Sequence, residues 1–163
     1  MLHNNVKRVL IILGVVTAAS IALIWGVKSW SKNQEIQDVA TARDWAGLAP
    51  FPPSAHSLQT FRNDTFTWTA YCVKFSAAPQ EINAFLARSP GLKANPGEVF
   101  SPKHHYMDTN FSNRINFVNE SAPWFNRTIT LHGRLYTTEW QNNYGEIVVN
   151  DVTNTVYIYV YDS

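Results

Sequence analysis

Nineteen consecutive uncharged and mostly apolar residues, Val9 through Val27, separate Arg8 from Lys28. As a helix at about 1.5 Å per residue the run spans ~28 Å, close to the ~30 Å hydrocarbon core of a bilayer. Its polar residues are Thr17 and Ser20 alone, so it lacks the polar face of a packed amphipathic helix. A cleavable signal peptide fits less well. Ser20-Ile-Ala22 is the nearest small-residue cleavage pattern, yet the apolar block continues through Leu23-Ile-Trp25 beyond it. The pattern therefore predicts an uncleaved transmembrane anchor over 9–27, behind a short tail of residues 1–8. Trp25 and Trp30 suit the interfacial belt at its end.

Residues 32–48 carry only a thin apolar stripe, made by Ile36, Val39, Ala40 and Trp45. They read as a helical stalk, stopped by Gly47 and by Pro50, Pro52 and Pro53. Stalk and Pro-rich neck together span 28–53, and a folded body of residues 54–163 is expected beyond them.

Within that body the period changes from helical to alternating. Thr65–Ser76 places Phe66, Trp68, Ala70 and Cys72 on one face and Tyr71, Val73 and Phe75 on the other, which predicts a long central strand. A helix follows over Pro79–Arg88. Proline suits its first turn, and Ile82, Phe85 and Leu86 form the face that would dock on a sheet. Residues 92–125 are irregular, with a short strand suggested at Arg114–Val118. The remainder reads as a β-meander: a strand over Thr128–Thr138, a turn at Gln141–Gly145, a strand over Glu146–Val149, a turn at Asn150–Asn154 and a last strand over Thr155–Tyr161. The expected fold is thus α+β: a single membrane helix, then an antiparallel sheet with one packed helix.

Charge bears on orientation and on partners. Lys7 and Arg8 precede the apolar run and Lys28 and Lys32 follow it, so the positive-inside signal is nearly balanced. The large body after a short N-terminal tail favours an exported, extracytoplasmic C-terminal domain, periplasmic in a bacterium. Setting those four cations aside leaves nine Lys and Arg against twelve Asp and Glu, a net of −3. The basic residues are scattered singly, so a nucleic-acid partner is not expected. Cys72 is the one cysteine, which excludes an intrachain disulfide. Four Asn-x-Ser/Thr sequons, at Asn63, Asn110, Asn119 and Asn126, would mark glycosylation sites in a eukaryotic lumen.

Two sets of residues are candidates for chemistry. His104, His105 and Asp108 lie together in the irregular segment and offer imidazole and carboxylate groups to a metal ion. Adjacent histidines on extended backbone point in opposite directions, which makes them poor joint ligands, and no cofactor is implied. The second set is aromatic: Tyr157, Tyr159 and Tyr161 alternate on the last strand, with Trp140 and Tyr136 near in sequence. Tyr and Trp concentrate at interaction hot spots. No nucleophile elbow, zinc-protease, P-loop or dinucleotide motif is present. The expectation is a binding or accessory module held at the lipid bilayer and docking on a membrane protein complex or an envelope component. The alternative is an anchored hydrolase working through His104 or His105.

Overall fold

A computed structural model describes residues 17, 20, 25, 29, 31–94, 97–100, 122–125 and 132–162. The chain divides into two compact units, Met1–Gln37 and Asp38–Ser163. In the first unit the described residues, Thr17, Ser20, Trp25, Ser29 and 31–37, are helical and exposed. The anchor expected over 9–27 otherwise lies outside the described residues. Among those described, no helix is long and apolar enough to cross a membrane.

The second unit is built on an antiparallel six-stranded sheet. Its strands are β1 (His56–Asp64), β2 (Thr69–Ser76), β3 (Glu98–Phe100), β4 (Gly133–Trp140), β5 (Asn143–Asn150) and β6 (Thr155–Asp162). They lie in the order β1-β2-β6-β5-β4-β3. Helical residues 38–45, here α1, open the unit, and α2 (Pro79–Arg88) follows β2. The α+β architecture and the C-terminal meander agree with the sequence pattern.

Alternation explains why the sheet is buried on both faces. Tyr71, Val73 and Phe75 of β2, Ile147 and Val149 of β5, and Val156, Ile158 and Val160 of β6 point to one side. There they meet Ala42 and Ala46 of α1, Leu48 and Ala49, and Ile82, Phe85 and Leu86 of α2. On the other side Ala70, Cys72, Leu135, Val148, Tyr157 and Tyr159 form a second core, closed in part by Ala122 and Phe125. The helix docks on the Tyr71/Val73 face of β2 and not on the face holding Trp68 and Cys72.

Residues 38–53 belong to the folded unit, where the sequence suggests a stalk and neck ahead of a body that begins at residue 54. The small side chains that make the apolar stripe thin are what let α1 lie close to the sheet. Ala42 and Ala46 are fully buried, and Trp45 meets Tyr71 edge-on at 5.1 Å. A second packed helical element therefore joins α2. The end of α1 is a Schellman closure: the Leu48 N–H donates to the Arg43 carbonyl and the Gly47 N–H to that of Asp44. Gly47 sits at φ +59°, and a Cβ there would stand 2.6 Å from the Trp140 ring. The Pro-rich stretch then brings Phe51 against Phe75 at 4.9 Å. Ser54 ties it to α2, accepting from the Ala78 N–H and donating to Glu81.

Two further local departures have clear causes. β1 is a polar edge strand with the sequence HSLQTFRND, too poor in apolar alternation to read as a strand. It bulges near Ser57, at φ +54°, which twists an otherwise open edge away from pairing. Residues 65–68 are a turn and not the start of β2, because the Thr65 side chain closes them on themselves. Its Oγ1 accepts from the Thr67 and Trp68 N–H groups and donates to the Trp68 carbonyl, while the Thr65 N–H also donates to that carbonyl. The strand suggested at Arg114–Val118, and the Thr128–Leu131 part of the next one, lie outside the described residues.

Candidate functional site

The register separates the aromatic residues that the sequence groups together. Tyr136 pairs across the sheet with Ile147, on the α1/α2 face, and Trp140 shares that face, with its ring against Gly47. Tyr157, Tyr159 and Tyr161 occupy the opposite face. Two of these three are core residues. Tyr157 is 8% exposed, lies 5.7 Å from the Phe125 ring and has its phenol pKa raised by burial; Tyr159 is 0% exposed. Tyr161 is half-buried and stacks on Tyr144 at 5.8 Å with 24° between the ring planes.

An accessible aromatic group does exist, at one end of the sheet. The β1–β2 turn, the C-terminal end of β6 and the β4–β5 turn all lie at that end, because Asp64 pairs with Thr69, Ala70 with Tyr161 and Asn143 with both Trp140 and Asp162. The closed Thr65 turn carries Phe66 at its tip, wholly exposed. Trp68 enters β2 half-buried against the second core. Tyr161 and Tyr144 continue on the same face, and Tyr144 is 39% exposed. The β4–β5 turn, which joins Trp140 to Asn143, has Gln141 and Asn142 at positive φ, as a two-residue hairpin turn of the primed type requires.

This end carries carboxylates. The Tyr144 hydroxyl donates to Glu139 at 3.3 Å, and Glu139 raises the phenol pKa of Tyr144. Asp162 accepts from the Thr69 N–H, and Asp64 accepts from the Thr69 hydroxyl. The nearby cation Arg62 is bound on both sides. It pairs with Asp64 at 2.8 Å and with Asp38 of α1 at 3.7 Å, and its guanidinium stands 5.6 Å from the Tyr71 ring centroid. Side-chain hydrogen bonding to Arg62 holds the Asp64 carboxyl below the usual range, while burial pushes Asp38 upward. Lys74, Arg88, Lys93 and Arg134 lie towards the α2 end of the unit, together with the carboxylates of Glu81 and Asp151.

At that opposite end a groove of about 510 Å³ opens between α2 and β4, with Leu86 and Leu92 as its apolar lining and Asn83, Lys93, Arg134 and Tyr136 as its polar one. Arg134 serves as a staple there. Its guanidinium donates to Asp151 at 2.7 Å and to Asn83 at 2.8 Å. The groove thus has its strongest cation committed to holding β4, the β5–β6 turn and α2 together.

The candidate residues His104, His105 and Asp108 lie outside the described residues. Among those described, no group of three or more His, Cys, Asp or Glu side chains could hold a metal ion. Cys72 is buried in the second core. Asn63, the first sequon residue, is only 8% exposed on β1, which closes that site to a glycan in the folded unit. Sequence reasoning missed Phe66 as a surface residue because Thr-Phe-Thr-Trp alternates like a strand. The signal available was the preceding Asn63-Asp64 and the hydroxyl of Thr65, a turn-forming set. Comparison with family models, with curated proteins and with solved structures finds no match to this chain.

Proposed function

We propose that this chain is a membrane-anchored binding or accessory module, whose folded unit stands outside the cytoplasm and docks on a membrane protein complex or an envelope component. The uncharged run over 9–27 supports the anchor. The observation that carries the docking reading is the aromatic end of the sheet. An isolated exposed apolar residue needs no explanation. Here a wholly exposed phenylalanine on a hydrogen-bonded turn shares one end with Trp68, Tyr161 and Tyr144. Aromatic side chains lose little conformational entropy on binding and bury much area, which is why they dominate interaction hot spots.

The test is extraction of the full chain from native membranes in mild detergent, followed by native mass spectrometry. A stoichiometric complex with another protein is the expected result. A chain that extracts without detergent, or that is recovered only by itself, would overturn the reading.

A further inference from the structure

We propose that the β1–β2 turn is the docking point for a protein partner that presents an apolar socket for the Phe66 ring within a rim of lysine or arginine. The inference rests on the accessory-module reading and adds the chemistry of the partner. Three observations lead to it. First, Phe66 stands at the tip of a turn that is closed by hydrogen bonds, the Thr65 Oγ1 accepting from the Thr67 and Trp68 N–H groups and donating to the Trp68 carbonyl. A ring presented on a fixed turn enters a socket with little ordering cost. Second, Tyr144, 39% exposed, lies at the same end of the sheet as Phe66, on the face where Trp68 and Tyr161 are half-buried against the second core.

Third, the charges around this surface select among occupants. Glu139 lies on the same face as Tyr144, while Asp64 beside the turn and Asp162 at the end of β6 fall on the other face of the same sheet end, where Arg62 pairs with Asp64 and Asp38, so this end carries a net negative charge. An anionic leaflet would be repelled by such a charge, because membrane-surface binding draws on clusters of Lys and Arg. A second copy of the same end would bring like charges together. A cationic protein surface is the complement that gains from both the ring and the charge.

The experiment places a photo-crosslinkable phenylalanine analogue at position 66 of the full-length chain in native membranes. One protein adduct is expected, with its cross-linked peptide running through apolar residues flanked by Lys or Arg. Binding of that partner, once purified, is then measured against the full-length chain in detergent at low and high salt. Phe66→Ser is expected to weaken it by about 30-fold or more, the scale of a hot-spot residue, and Phe66→Trp to retain most of it. Glu139→Gln, which keeps an acceptor for Tyr144, is expected to reduce the salt dependence while leaving the melting temperature unchanged. An adduct to lipid, to a second copy or to an acidic surface would refute the proposal, and so would no adduct. A stoichiometric partner indifferent to Phe66→Ser would also refute it, yet would leave the accessory-module reading standing.

Discussion

Truncating Phe85 to alanine removes the ring that joins α2 to the sheet and to the Pro-rich stretch. Phe85 is fully buried, with Phe75 of β2 edge-on at 5.7 Å and Phe51 at 5.8 Å. Losing the burial of one such side chain costs about 1.5–3 kcal/mol. Each edge-on ring contact adds about 0.5–1.5 kcal/mol. The total, about 2.5–6 kcal/mol, brackets the range of about 3–5 kcal/mol for Phe→Ala in cores that cannot collapse around the vacancy. Collapse is hindered here because the ring's neighbours come from three separate segments, each fixed by its own hydrogen bonds. Urea denaturation of the full chain, followed by near-ultraviolet circular dichroism, reads the effect. At a slope of roughly 1–3 kcal/mol per molar urea, a loss of about 3–5 kcal/mol lowers the midpoint by about 1–5 M. Phe85→Leu, which fills most of the space, should cost less than half as much. A loss below about 1 kcal/mol for the alanine variant would show that α2 does not dock through this ring.

Three further outcomes follow from the same contacts. Ser89→Ala should cost about 1–3 kcal/mol in the same denaturation assay, because the buried Oγ accepts from the Ala49 N–H at 3.0 Å and donates to the Phe85 carbonyl at 2.8 Å. Gly47→Ala should lower the melting temperature by several degrees, since its φ of +59° and the Trp140 ring at 2.6 Å both oppose a Cβ; an unchanged melt would show that the α1 closure relaxes. The acid limb of stability has a defined sign. Asp64 and Glu81 have folded pKa values below their ordinary ones, through Arg62 and Ser54, so their contribution is present above about pH 4 and is lost as pH falls through the lowered values. Asp38, raised by burial, opposes this. Glu81→Gln should therefore flatten the fall in urea midpoint between about pH 5 and pH 2, and an unaltered slope would remove Ser54–Glu81 from the account.

How much of this was legible in the sequence depended on whether a segment's pattern was set locally or by its neighbours. Proline at the first turn and the Ile82, Phe85, Leu86 spacing marked α2 to the residue, and alternation marked β6. In these segments burial and local period agree. Residues 38–49 looked solvent-exposed because alanine and glycine contribute little to an apolar stripe, yet small size is what permits close approach to a sheet. β1 stayed hidden because an edge strand keeps its polar residues. The aromatic candidates illustrate the limit at the site. Their presence on the meander was visible, but which of them reach solvent depended on cross-strand register and on Phe125, both products of the tertiary fold. Tyr157 and Tyr159 thus entered the core, and the exposed ring lay on a turn that alternation had disguised as strand.

Differential hydrogen exchange of the full-length chain, alone and in complex with its co-purified partner, is the most direct measurement of where docking occurs. The proposed surface requires slowed exchange over residues 64–69 and 139–145, with the amides of α2 and the groove beside Arg134 unchanged. Protection confined to α2, to that groove or to the β1 edge, with the Phe66 turn unaffected, would contradict it.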